Sequence, residues 1–176
     1  MRALGPGSVS SFLKVILDVA FFALWVGVAA LGLIALLAIL LSFNPDLMGN
    51  VTITSDEDLM QRGPYLAAGL LAAALYVGGV LVIVGELRRI FSTLTAGDPF
   101  HPDNVTRLRI IGGMLAALEI GRHIVAELSR MLIDAEIRSV DSGLNLTAWF
   151  AVLVVFVLAE VFREGARLRT EAELTI

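Results

Sequence analysis

The stretch from Val19 to Phe43, VAFFALWVGVAALGLIALLAILLSF, runs for 25 residues without a charge. About 20 apolar residues in a helix cover the ~30 Å hydrocarbon core of a bilayer, so this segment is long enough to cross one. A secretory leader competes, because Arg2 and Lys14 precede the run. The apolar part of a leader has only about 7–15 residues, so the segment is expected to be a retained membrane helix. The rest of the chain agrees: 57% of residues are hydrophobic, 17% are charged, and the mean hydropathy is +0.85. A soluble domain of that composition would have to expose its surplus apolar surface to water. The net charge of −4 and the clustering of the basic residues argue against direct nucleic-acid binding. The absence of cysteine excludes disulfides and thiolate chemistry.

Three further spans are expected. One runs over 64–85, opening on Gly63-Pro64, where proline suits a helix's first turn. Its helical pattern continues beyond the apolar part through ELRRIFSTLTAG to a terminating Gly97. Another covers 144–162, apolar apart from Glu160. The remaining one, 110–129, is apolar only from Ile110 to Gly121 and reaches spanning length through Glu119, Arg122, His123 and Glu127. This gives an all-α fold: a single integral-membrane four-helix bundle over 1–176, with an outer loop at 44–63, a stalk and corner at 86–109 and a tail at 163–176. With both termini inside, nine Lys and Arg lie on the inner side (Arg2, Lys14, Arg88, Arg89, Arg107, Arg109, Arg163, Arg167, Arg169) and four on the outer (Arg62, Arg122, Arg130, Arg138). That bias predicts cytoplasmic N- and C-termini.

Between the second and third spans lies AGDPFHPDNVTRLR, Ala96 to Arg109. Taking His101 as N-cap places Pro102 at the first helical position, where its missing N–H costs nothing, and Asp103 near the positive end of the helix dipole. Phe100 and Val105 then occupy the positions of a hydrophobic staple. Pro99 disfavours helix at Asp98. A rigid corner is predicted. Arg88, Arg89, Arg107 and Arg109 flank it, positioned either to reach anionic headgroups with their long side chains or to bind an acidic protein surface.

Glu119, His123 and Glu127 recur at i, i+4 and i+8 and share a helix face, with Arg122 and Arg130 each three residues beyond a glutamate. Counted from Arg109, Glu119 is ten residues or about 15 Å in, near the middle of a bilayer. Ionisable groups at such depth are functional candidates by default. Two readings stand: a polar cavity or relay built on Glu119, Arg122 and His123, or ion pairs that face the bundle interior. Two carboxylates and one histidine on a single helix match no metal signature, and no metal site or cofactor is expected. No nucleophile arrangement or phosphate-binding glycine loop is present, so the chain is expected not to be an enzyme. Gly113, Ala117 and Gly121 form a small-residue seam on the third span, and Gly69 with Ala73 another on the second. Such seams serve close packing within the chain or a homodimer.

Two stretches carry a family likeness: LTAGDPFHPDNVTRLRIIG, from Leu94 to Gly112, and LAEVFREGARLRTEAELTI, from Leu158 to Ile176. They resemble the bacterial membrane family catalogued as domain of unknown function 2975, with its G-x-PF corner, N-x-x-RLR-x-IG helix start and FREG…LTI tail. The matching residues are Gly97, Pro99, Phe100, Asn104, Arg107, Leu108, Arg109, Ile111, Gly112, Phe162, Arg163, Glu164, Gly165, Leu168, Glu171, Leu174, Thr175 and Ile176. His101 departs from the threonine that relatives often carry, a better N-cap. The resemblance implies four membrane helices in a bacterial inner membrane. It also implies a partner, since such proteins are commonly encoded beside a very short helix-turn-helix regulator. The expected function is therefore a regulatory membrane protein that sequesters a small helix-turn-helix transcription factor at its cytoplasmic face. That face would comprise Arg88, Arg89, Phe100, His101, Asn104, Arg107, Arg109, Phe162, Arg163, Leu174 and Ile176. The alternatives are a small transporter or ligand sensor around Glu119, Arg122 and His123, and a passive subunit of a larger membrane complex.

Overall fold

The computed structural model describes residues 9–43, 56–132, 143 and 145–174. These form four helices: α1 (Val9–Phe43), α2 (Asp56–Thr95), α3 (Pro102–Leu132) and α4 (Leu146–Glu173). There is no strand among the described residues, and the all-α expectation holds. Three helices are long and apolar enough to cross a membrane, at Phe12–Leu41, Pro64–Thr95 and Leu146–Ala172. α3 is not among them; at 31 residues it has the length, about 46 Å, but its charges dilute the apolar content.

The helices start and stop differently from the apolar runs that signal them. α1 begins at Val9, so Lys14 and Asp18 are helical and continue the membrane helix at its polar end. α2 begins at Asp56 and not at the expected Gly63-Pro64, leaving Pro64 inside the helix. The acidic sequence at 56–58 suits a helix's positive N-terminal end better than its interior, which explains the earlier start. α4 runs from Asn145, whose side chain accepts the Ala148 N–H at 3.2 Å, to Glu173, so most of the tail is helix. The outer loop to residue 55, residues 133–142 and Ile176 lie outside the described residues.

The chain divides into two compact units. Phe22–Gly78 holds the larger part of α1 and the first part of α2, where Gly27 and Val77 approach closely and Ala35 and Ala67 are buried. The other unit, Met1–Phe21 with Gly79–Ile176, is a four-helix bundle made of the start of α1, the end of α2 and all of α3 and α4. Its core is Ile90, Leu108, Ile111 and Ala159, with Leu87, Leu94, Val155 and Phe162 packed around them. In this unit α3 and α4 run antiparallel in close register: Phe100 meets Gly165, Gly112 meets Phe156, and Arg122 reaches Gly143. Outward-facing Phe150, Leu153, Val157 and Val161 are exposed along α4, a surface suited to lipid tails.

The small residues used for close approach are not those of the predicted seam. A side-chain carbon on Gly112 would lie 3.0 Å from the Phe156 ring, and one on Gly79 2.6 Å from Leu118. Gly113 and Gly121 have no described side chain or neighbouring backbone within 4 Å of such a carbon, and the same holds for Gly69. α3 packs through the residue beside its seam.

Candidate functional site

The corner between α2 and α3 ends one helix and starts the next with little freedom. Gly97 takes φ +85°, a conformation that glycine adopts without strain. The Gly97 N–H donates to Leu94 C=O at 3.1 Å and the Asp98 N–H to Thr93 C=O at 3.0 Å, the paired bonds that close a helix C-terminus. On the other side, His101 acts as the cap that the sequence predicts. Its Nδ1 accepts the Asp103 N–H at 3.2 Å, and its carbonyl accepts the Asn104 N–H at 2.9 Å.

Asn104, fully buried, locks these two helix ends together. Its Nδ2 donates to Thr93 Oγ1 at 2.7 Å and to Pro99 C=O at 3.1 Å, while its Oδ1 accepts from Arg107 Nη1 at 3.1 Å. Arg107 also donates to Arg89 C=O at 2.9 Å, tying α3 back to α2. Asn104 and Arg107 therefore build the corner; Asn104 is not a surface residue that a partner touches.

The tail docks on this corner. The Phe100 ring, placed by sequence at the staple position facing Val105, lies against α4, its centroid 5.7 Å from that of Phe162. Gly165 makes room for it: a side-chain carbon there would sit 2.6 Å from two Phe100 ring atoms. Asp98 pairs with Arg169 across 71 positions of sequence. The G-x-PF and FREG segments thus meet in space. Substituting Gly165 by alanine tests this contact through its sign. In an open helix the change stabilises by up to ~1 kcal/mol. Here we expect it to destabilise by about 1–3 kcal/mol through overpacking, read as a lower thermal midpoint in detergent. Adding Phe100→Ala should remove most of that extra cost, and a stabilised Gly165→Ala single variant would refute the packing.

Five of the residues expected to face a partner remain on the surface, among them Phe100, 39% exposed despite its contact with α4. Arg89 is exposed and pairs with Glu86 at 2.7 Å, Arg163 is exposed and pairs with Glu160, Arg109 is exposed without an ion pair among the described residues, and Leu174 is 83% exposed. Arg88 is drawn inward: its Nε meets Asp18 at 2.6 Å and its guanidinium stacks 4.4 Å from the Phe21 ring centroid. Phe162 belongs to the core periphery.

Glu119, Arg122 and His123 do come together. Glu119 is 7% exposed and accepts a two-pronged contact, from Arg122 Nη2 at 2.7 Å and Nε at 3.2 Å. Arg122 continues to Gly143 C=O at 3.2 Å, and the Asn145 backbone also bonds the carboxylate. His123 Nε2 lies 3.4 Å from Glu119, without hydrogen-bond geometry, and is buried. The cluster therefore stands beside the start of α4. Measured along α4, Glu119 is at the beginning of the apolar run and not at its middle, because depth counted from Arg109 alone ignores where the neighbouring helix begins. Glu127 stands apart, exposed and paired with Arg130 at 3.1 Å. Among the described residues no three His, Cys, Asp or Glu gather as metal ligands.

Two acidic residues escaped the sequence reading. Asp18 and Glu86 each end an apolar run, one turn from a cation, and both line a cavity of about 540 Å³ between the start of α1 and the end of α2. Their position at the polar ends of two spans was the signal available.

Residues 28–176 match the family model described as "Protein of unknown function (DUF2975)". No curated protein and no solved structure matches the chain.

Proposed function

The chain belongs to the DUF2975 family, and we propose that it is a non-enzymatic regulator of the bacterial inner membrane that holds a small helix-turn-helix transcription factor at its cytoplasmic face, away from DNA. The observation that carries this reading is the docked tail. α4 continues as helix from Arg163 to Glu173, beyond its apolar run, and is clasped to the corner by Phe100, Gly165 and the Asp98–Arg169 pair. Crossing a bilayer requires none of this. What it provides is a rigid polar platform bearing two exposed leucines, Leu168 and Leu174. Arg167 on the platform is balanced by Glu164 at 2.7 Å and Glu171 at 3.4 Å. A mixed-charge surface with isolated apolar anchors suits a protein partner better than nucleic acid.

In this reading α3 is a fourth crossing, because it lies antiparallel along α4, a candidate span in the same unit. Both termini then face the cytoplasm, in line with the nine-to-four bias of basic residues. The regulator as partner follows from the gene neighbourhood that the family resemblance implies.

Removing Arg163 to Ile176 would break the clasp as well as the platform, so a narrower change is the better test. Leu168→Asp combined with Leu174→Asp leaves Phe100, Gly165 and Arg169 in place. We expect the adjacent-gene regulator to shift from the membrane to the soluble fraction while the membrane protein keeps its thermal midpoint. Undiminished co-purification with the double variant would overturn the assignment of this face.

A further inference from the structure

The cavity between α1 and α2 has a polarity gradient. Asp18 pairs with Arg88, and Gly85 lies 3.4 Å from the Phe21 ring once given a side-chain carbon, so the helices are antiparallel here. Going from Lys14 to Phe21 on α1 therefore matches going from Ser92 back to Leu81 on α2. One end is lined by Lys14, Arg89 and Ser92 together with the Phe91 ring, the other by Phe21, Leu81 and Val82 alone. The direction from polar to apolar is the direction in which each helix enters its membrane-crossing run.

The charges do not balance. Asp18 is taken by Arg88 at 2.6 Å and Glu86 by Arg89 at 2.7 Å. Lys14 is exposed and has no ion pair among the described residues. Three cations against two carboxylates leave one positive charge at the polar end of a groove whose other end is apolar. At about 540 Å³ the groove lies within the roughly 300–1,000 Å³ range of small-molecule sites.

We propose that this groove is a binding site for one anionic phospholipid, its single phosphodiester charge met by Lys14 beside Arg89 and its acyl chains laid on Phe21, Leu81 and Val82. A zwitterionic phospholipid carries a second, positive group that this end does not complement. The lipid would bridge the start of α1 to the end of α2 next to the Asp18–Arg88 pair, at the base of the stalk that carries the corner.

The test uses the full chain in nanodiscs containing equal amounts of phosphatidylglycerol and phosphatidylcholine, with retained lipid counted by native mass spectrometry after release. One phosphatidylglycerol is expected to stay bound in preference to phosphatidylcholine. Lys14→Ala should lower its occupancy about fivefold, the effect of losing one basic residue at an anionic lipid surface. Arg130→Ala, an exposed cation at the far end of α3 and away from the groove, should leave it unchanged. Val82→Trp, which fills the apolar end and spares every charge, should also empty the site. Equal retention of the two lipids would overturn the proposal, as would equal losses from Lys14→Ala and Arg130→Ala, which would mean unspecific surface attraction. Retention in Val82→Trp together with displacement by excess inorganic phosphate would overturn it too, by making the ligand a soluble anion.

Discussion

Asn104→Ala is expected to destabilise the protein by about 2–3 kcal/mol, from the hydrogen bonds lost in a buried site and the void left behind. The side chain is fully buried and bonds three segments at once: Thr93 at the end of α2, Pro99 in the corner and Arg107 on α3. Two of its partners have a second contact. The Thr93 hydroxyl donates to Ile90 C=O at 2.7 Å, and Arg107 keeps Arg89 C=O at 2.9 Å. What alanine removes is the link between helix ends, not the satisfaction of each group, which keeps the expected cost below that of stranding all three.

Asn104→Leu separates the contributions, because it restores volume without the bonds. We expect leucine to recover less than half of the loss in thermal midpoint in detergent. A leucine variant as stable as the native protein would show that Asn104 only fills space. The functional consequence is specific as well. A loosened corner frees Phe100 from Phe162 and Gly165, so regulator retention should fall in Asn104→Ala even below the unfolding temperature.

The corner was legible in sequence because its determinants are local. Gly97 needs a positive φ, Pro102 tolerates a first helical turn, and His101 has an acceptor two residues before an unpaired N–H. The contact between corner and tail was not. Phe100 and Gly165 are 65 positions apart, and nothing within either segment says that the glycine is a socket for the ring. The family likeness draws on both segments, and the structure gives a physical reason for the pairing. Helix starts were misplaced for a related reason: hydropathy marks where a chain meets lipid, whereas α1 and α2 extend beyond it into polar sequence. The cavity is not legible in sequence because Asp18 and Glu86 are 68 positions apart, and neither stretch says that the two helices face each other.

Arg122→Ala should cost more, about 3 kcal/mol, because it leaves the Glu119 carboxylate nearly enclosed without its main partner. The lower end of the usual range for breaking a buried pair is the right expectation. Arg122 is itself 29% exposed, so its removal lets water reach the carboxylate. Glu119→Gln should cost less, since the arginine left behind can reach water and still holds Gly143 C=O at 3.2 Å. Changing both residues to glutamine should recover most of the stability lost in Arg122→Ala, because no buried charge then lacks a partner. The double variant also separates the two readings of this cluster. If the pair only fastens α3 to the start of α4, the refolded double variant keeps the regulator at the membrane as the native protein does. If the cluster senses a proton or a ligand, the double variant folds, reaches the membrane and no longer changes regulator retention with pH or added solute. Equal thermal midpoints for Arg122→Ala and the native protein would remove the premise of both, since Glu119 would then need no partner.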